Sequence, residues 1–344
     1  MFAVIDCGTT NTRIFLLDDR QKMIAQGAKK VGVRDTSITG SRETLKTGVE
    51  ELYRSVLQEH GIDGKQVRFA IASGMITSEI GLMEIPHLVA PCGLAELSGQ
   101  VEVVNDPAVL DIGVPVCFIR GVRNDYGDNA TAADLRRVDF MRGEEVQCMG
   151  ILTEMNPELP VNIVVLSSHT KLIHIDAGGR IASSLTSMSG QIFEALKNST
   201  NVGKSIVACG GEEPGGYSFE ELVEIARDCV ENAGFVRTML MPRFMQVLLK
   251  TDSDERRLFV DAAIAVDDMK AFREFKNQGY DAKRYILFGH ESRCRLYTYL
   301  IHTYFGQQVQ VQSIYDQKAI AELTVKGAIA AAARILNDKE ERGN

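Results

Sequence analysis

Residues 2–17 read FAVIDCGTTNTRIFLL, and this stretch decides the fold. Phe2–Ile5 is an apolar run that ends at Asp6, and a turn through Gly8, Thr9, Thr10 and Asn11 follows. Ile14–Leu17 then resumes the apolar run. Two such runs flanking a Gly- and Asn-containing turn predict a β-hairpin. Asp18-Asp-Arg-Gln21 turns the chain again into a third strand near Lys22. Glycine in the first turn lets backbone N–H groups face an anion, and the hydroxyls of Thr9 and Thr10 add donors. The turn is therefore either a phosphate cradle or a plain hairpin connection. Asp6 is itself anionic, so its fitting role beside a phosphate is to hold Mg²⁺, often through water. Arg13 adds positive charge at the same end of the hairpin.

Working outward, Ser41 stands as an N-cap before Leu45, Val49, Leu52, Val56 and Leu57, a helical spacing closed by Gly61. Phe69–Ala72 is a buried strand ending at Ser73-Gly74, and Val114–Ile119 is another. The opening pattern then returns about 158 residues later, with Ile14–Asp18 over Leu172–Asp176. The turn Thr9–Arg13 falls over Ser167, Ser168, His169, Thr170 and Lys171. Two such hairpins, each with a hydroxyl-rich turn and a basic residue, predict two similar lobes. Helices are expected over Ser189–Lys197, Ser218–Asn232, Val236–Leu249 and Asp254–Phe275. Arg284–Phe288 is a strand running into Gly289, Leu296–Phe305 a helix and Val309–Ile314 a strand. A helix over Ala319–Leu336 closes the pattern, and the polar tail Asn337–Asn344 is expected to fray. The expected class is α/β, each lobe a mixed five-stranded sheet with helices. The first lobe spans 1–120, with the helix 319–336 packing back on it, and the second spans 121–315.

Composition narrows the partners. The chain of 344 residues carries a net charge of −8, which argues against a bulk nucleic-acid binder. The longest apolar runs, such as Ile163–Leu166, fall far short of the ~20 residues that span a membrane. No basic segment precedes an apolar run at the N-terminus, so no signal peptide is read and a cytoplasmic location is expected. Seven cysteines, none in a CxxC pair, fit buried thiols in a reducing compartment. A small-molecule ligand is the expected partner, and a homodimer is left open.

Two further segments carry carboxylates or a strand-end glycine. Residues 139–147 read DFMRGEEVQ. If 140–152 is helical, Asp139 is its N-cap and Glu144 and Glu145 lie one turn later. A carboxylate here suits orientation and deprotonation of a hydroxyl, and Arg142 suits bidentate pairing with a substrate carboxylate. The plain alternative is a cap followed by a solvated face. Asp125 and Asp128, in the polar loop NDYGDN, are rival bases, or simple turn residues. Ser73, Gly74 and Met75 follow a buried strand at its carboxyl end, where α/β sheets bind ligands.

The opening D-x-G-T-T-N-T-R resembles the first phosphate loop of the actin/hexokinase/Hsp70 superfamily of ATPases. More narrowly, the chain resembles the 2-dehydro-3-deoxygalactonokinase family. Ser73–Gly81, SGMITSEIG, is similar to that family's AGM(I/V)GS-x-x-G, and Pro86 and Pro91-Cys-Gly-Leu94 continue in step. Asp139–Gln147 resembles D-x-M-R-G-E-E-T-Q, Ser167–Lys171 lies where the family has G-T-H-x-K, and Thr186–Gly190 resembles T-x-M-T-G-E. There are departures. Gln191 replaces the family's Glu, Leu166-Ser167 replaces Pro-Gly, and no Trp is present.

The resemblance implies a two-lobe actin-like (ribonuclease H-like) fold. It implies an ATP- and Mg²⁺-dependent kinase that phosphorylates the terminal hydroxyl of 2-dehydro-3-deoxygalactonate in galactonate catabolism. It places Asp6, Gly8, Thr9, Thr10, Asn11, Arg13 and the segment Ser167–Lys171 at the phosphates. Gly289 falls on the adenosine side, Asp139 or Glu144 at the chemistry, and Ser73, Gly74, Met75, Arg142 and Glu145 at the substrate. A kinase for another small sugar or hydroxy acid, an ATP hydrolase and a non-catalytic ATP- or sugar-binding regulator are the alternatives.

Overall fold

The computed structural model describes residues 1–207 and 215–334. The opening hairpin grows into a sheet. Its strands are β1 (Phe2–Cys7), β2 (Thr12–Leu17), β3 (Met23–Lys29) and β4 (Ala70–Gly74). After the short β5 (Leu88–Val89) come β6 (Glu102–Val104), β7 (Val116–Phe118), β8 (Val122–Arg123) and β9 (Phe140–Met141). The order in the first sheet is β3-β2-β1-β4-β7-β6. β1, β2 and β3 pair antiparallel, and β4 and β7 add in parallel. β5, β8 and β9 form a small sheet of their own.

The second half builds the same plan with β10 (Val161–Leu166), β11 (Thr170–Ile175), β12 (Ile181–Ser187), β13 (Arg284–Gly289) and β14 (Gln310–Ile314). Their order is β12-β11-β10-β13-β14, with β13 and β14 added in parallel. The first three strands of each sheet have 6, 6 and 7 residues. The repeat predicted from sequence is thus present in the topology. One difference is β6, which pairs antiparallel with β7 and makes the first sheet six-stranded rather than five.

Alternation in β1–β3 puts Ala3, Ile5, Ile14, Leu16 and Ala25 into one core, together with Leu45, Val49, Leu52 and Val56 of the helix Glu43–Glu59. A separate core joins Val164, Leu166 and Leu172 to the helices Phe219–Ala233, Ser253–Asn277 and Glu291–Phe305. The chain divides into two compact units. The first holds Met1–Leu159, Ile175–Ser184 and the chain from Lys318, and the second holds Pro160–His174 and Leu185–Gln317. The first unit therefore runs past the boundary at 120 read from sequence, because β8 and β9 close the small sheet with β5. In the first unit the helix Glu144–Met155 meets the helix Gln317–Ala331 backbone to backbone. A Cβ on Gly150 would strike the Leu323 carbonyl, and one on Gly327 the Val146 carbonyl.

Three local expectations change. Residues 140–152 are not one helix: Phe140–Met141 is strand β9, and the helix starts at Glu144 after Gly143, whose φ is 106°. Only glycine readily takes that turn, so it breaks the helical reading. Asp139 is consequently no N-cap. The expected helix Val236–Leu249 is broken into Phe235–Thr238, Met241–Phe244 and a π-turn at Met245–Leu249. Pro242, which lacks an N–H, sits in the first turn of the middle piece. Val33–Thr39 forms a helix that its β-branched sequence did not announce. The six described cysteines form no disulfide with one another, and five of them are buried. Cys209 and the tail Asn337–Asn344 lie outside the described residues.

Candidate active site

In the first unit β1 and β4 run parallel, with Asp6 opposite Ser73 and Cys7 opposite Gly74. The turn after β1 is tight: the Gly8 N–H donates to the Asn11 carbonyl at 2.9 Å. The Gly8 and Thr9 carbonyls accept from the N–H groups of Val33 (3.4 Å) and Arg34 (2.9 Å), the first turn of the helix Val33–Thr39. Gly32 permits that approach, since a Cβ there would lie 2.5 Å from the Thr9 oxygen. The Thr12 hydroxyl donates to the Val31 carbonyl at 2.8 Å. Among the described residues no hydrogen bond ties the side chains of Thr9, Thr10 or Asn11, which leaves them for a ligand. Asp6 Oδ2 lies 3.4 Å from the Arg13 guanidinium, and one-fifth of its side chain stays exposed. Burial raises the Asp6 carboxyl above its ordinary value; Arg13 opposes the shift and Glu144 adds to it.

Two glycines bring the helix Glu144–Met155 to this strand edge. A Cβ on Gly143 would lie 3.3 Å from the Gly74 Cα, and one on Gly74, whose φ is 86°, would lie 2.5 Å from the Cys7 carbonyl. The first-turn acids then differ in environment. Glu144 is half-buried. Glu145 is fully buried, and both its oxygens accept from the Gly143 N–H at 2.9 and 2.8 Å. Burial, with Glu144 adding, pushes the Glu145 carboxyl up to about 8. Glu145 is thus a closed structural acid, and Glu144 is the one open to a ligand.

Other residues singled out from sequence are placed as follows. Arg142 is buried and does not present a fork to a substrate. Its Nη1 donates to the Thr77 hydroxyl at 2.8 Å and its Nη2 to the Ile85 carbonyl at 2.6 Å. Asp139 continues the β8–β9 ladder, its carbonyl accepting from the Asn124 N–H, and its Oδ2 accepts from the Ser184 hydroxyl at 2.5 Å. Ser73 Oγ is buried without a hydrogen-bond partner, and Met75 stands partly exposed beyond Gly74. Asp125 and Asp128 are exposed, and Asp125 caps its own turn by accepting from the Gly127 N–H at 3.0 Å.

In the second unit the turn after β10 is one residue shorter, and the Ser167 N–H donates to the His169 carbonyl at 3.0 Å. Ser167 and Ser168 are exposed and His169 is half-buried. Thr170 and Lys171 are not available as expected. Thr170 is 1% exposed, and its hydroxyl accepts from Arg293 at 2.9 Å. Lys171 is buried and donates to the Thr186 hydroxyl at 2.6 Å. Gly289 ends β13 against β10, where a Cβ would lie 2.5 Å from the Leu166 carbonyl. Sequence reading missed Asp268, Tyr297 and Arg293, which are linked behind this turn. The available signal was a charged residue set among the apolar positions Ile264, Val266, Met269 and Phe272.

Among the described residues no three His, Cys, Asp or Glu stand close enough to hold a metal ion together. Asp6 fits one differently. It is a raised, partly exposed carboxyl with a second acid nearby and one guanidinium beside it. A divalent cation held by one carboxylate, water and phosphate oxygens would relieve that imbalance. Among the described residues no helix is long and apolar enough to cross a membrane.

The sequence profile of the 2-keto-3-deoxy-galactonokinase family matches residues 6–325. No curated protein sequence matches significantly. Among solved structures, a Sinorhizobium meliloti protein assigned provisionally as a 2-dehydro-3-deoxygalactonokinase is similar at 18% identity. That match covers 96% of each chain with a TM-score of 0.72. A component of an Acidaminococcus fermentans (R)-2-hydroxyglutaryl-CoA dehydratase follows at 12% identity, covering 97% of this chain and 98% of its own, with a TM-score of 0.49. A glucokinase of the ROK family from Streptomyces griseus matches at 11% identity over 97% and 98% of the two chains, with a TM-score of 0.42. The duplicated sheets and the first of these likenesses give the chain the actin-like ATPase fold.

Proposed function

The chain belongs to the 2-keto-3-deoxy-galactonokinase family, sugar-acid kinases, and on that premise we propose that it transfers the γ-phosphoryl group of ATP to the terminal hydroxyl of 2-dehydro-3-deoxygalactonate. The reaction belongs in the cytoplasm, in galactonate catabolism. The observation that carries the chemistry is the split between the two acids of the helix Glu144–Met155. Glu144 is partly open and acts electrostatically on Asp6, while Glu145 is sealed.

In this reading Glu144 orients the acceptor hydroxyl and takes its proton as the oxygen attacks phosphorus and the bond to ADP breaks. Asp139, which precedes β9 and accepts from the Ser184 hydroxyl, is the second acid and in this reading orients the acceptor. The N–H groups of the first turn, with Thr9, Thr10 and Asn11, hold phosphate oxygens, and Arg13 offsets their charge. Ser167, Ser168 and His169 supply a second set of donors, and Gly289 belongs to the adenosine side. Ser73, whose buried hydroxyl lacks a partner, Gly74 and Met75 line the acceptor's place. Asp6 would hold Mg²⁺, which supplies charge neutralisation at the phosphates when bound.

A coupled ADP-release assay with Mg–ATP, with and without 2-dehydro-3-deoxygalactonate and related sugar acids, tests the reading. Acceptor-dependent release is expected. Glu144→Gln should lower kcat by about 10²–10⁴-fold, and Asp139→Asn by less. ADP release indifferent to every acceptor would point to a hydrolase. A larger loss in Asp139→Asn than in Glu144→Gln would move the base to Asp139.

A further inference from the structure

The second turn is held by a hydrogen-bond chain of fixed direction. Asp268, 5% exposed on the helix Ser253–Asn277, accepts three hydroxyls: Ser187 at 2.5 Å, Ser189 at 2.6 Å and Tyr297 at 2.5 Å. With the Tyr297 proton given to Asp268, the Tyr297 oxygen can only accept. It lies 3.1 Å from the Thr170 hydroxyl and 3.3 Å from Arg293 Nη2. Thr170 in turn accepts from Arg293 Nη2, so its own proton goes to Tyr297. Arg293 Nη1 is thereby aimed at the Ser167 carbonyl, 2.6 Å away. On the other side, the Gln191 N–H captures the Ser168 carbonyl at 2.9 Å. Gln191 lies two residues beyond Ser189, which Asp268 also anchors.

Both turn carbonyls are therefore engaged by N–H donors rather than left open to face an anion. A carbonyl oxygen turned toward phosphate would repel it, so this capture is a condition for anion binding. Resting on the kinase reading above, we infer that Asp268 is a positioning residue for the nucleotide, which through Tyr297 and Arg293 on one side and Ser189 on the other keeps the carbonyls of Ser167 and Ser168 turned away from the phosphates. Asp268 touches no substrate itself. By accepting from Tyr297 it fixes the direction of the Tyr297 and Thr170 hydroxyls, and short O–H···O hydrogen bonds to a carboxyl group hold the chain in place.

The test uses the full chain with Asp268→Asn, Tyr297→Phe, their double variant, Arg293→Met and Arg293→Lys. Affinity for Mg²⁺ with the non-hydrolysable analogue AMPPNP is measured by calorimetry, KM for ATP and for the sugar acid by steady state, and Tm by melting. Asp268→Asn and Tyr297→Phe should each raise KM for ATP and the analogue Kd roughly tenfold, with KM for the sugar acid within about twofold. The double variant should match the worse single one, since both cut the same chain. Arg293→Lys should recover part of what Arg293→Met loses, because one ammonium can still reach the Ser167 carbonyl. Tyr297→Phe removes one oxygen and keeps the ring, so it tests the chain even where Asp268→Asn does not fold. A lower Tm with KM for ATP unchanged, or equal rises in both KM values, would overturn the inference alone. A wild-type chain with neither analogue binding nor acceptor-dependent turnover would overturn the kinase reading and this inference together.

Discussion

The two hairpin turns solve one problem with different parts. In the first, Gly8 and Thr9 give their carbonyls to two backbone amides of the helix Val33–Thr39. In the second, the Ser168 carbonyl goes to a backbone amide but the Ser167 carbonyl goes to the Arg293 guanidinium. Glycine makes room in both, Gly32 under Thr9 and Gly190 under Ser167. Charge is not repeated. β1 carries Asp6 next to its last residue, and the matching place in β10 is Val165, 4% exposed. Arg13 stays half-exposed beside Asp6, whereas Lys171 is buried on Thr186. The duplicated sheets thus repeat the captured turn carbonyls but not the acid; on the kinase reading, anion binding is needed in both turns and a metal-holding acid only in the first.

The largest expected effect tests that last point. Asp6→Asn should lower kcat at least ~100-fold at saturating Mg–ATP, since the neutral amide is a poor partner for a divalent cation. A loss under threefold in steady-state assays would remove Asp6 from the metal. Next, Val165→Asp would give the second strand the first strand's acid at a buried place. Stability should fall by about 3–5 kcal/mol in urea unfolding, because the charge has no partner there. An unchanged midpoint would mean that burial is not what keeps acids out of β10. The smallest effect concerns Glu145. A carboxyl raised to about 8 in the folded chain and ordinary in the unfolded one holds its proton longer when folded. Its contribution is complete below about pH 4.5 and fades as pH rises to about 8. Glu145→Gln keeps a neutral group, so its Tm relative to wild type should rise by a few degrees from pH 5 to pH 8.5. A pH-independent difference would mean that Glu145 ionises normally.

The meander, the repeat and the turn residues were legible because their signals are local: apolar runs, a glycine and hydroxyls in sequence. The site's acids were legible only as a group. Asp139 looked like a cap because nothing in DFMRGEE announces that Gly143 takes a positive φ and delays the helix to Glu144. Arg142 looked like a substrate fork because its partners, Thr77 and Ile85, lie far back in the chain. Thr170 and Lys171 were read as phosphate contacts from the register match and the resemblance, but both are buried and bonded to Arg293 and Thr186. The same distance hid Asp268, whose partners lie on three other elements.

The glycine contact of the helix Gln317–Ala331 with the helix Glu144–Met155 has a consequence for synthesis. On the ribosome, the helix bearing Glu144 emerges long before Leu323 and Gly327 do. Until then the face around Gly150 lacks that backbone contact. A chain stopped before Leu323 would lack this contact, and the helix that bears Glu144 would be held less firmly. On the kinase reading, the last helix completes the support of Glu144, so a chain stopped before it is expected to consume less nucleotide than the complete fold.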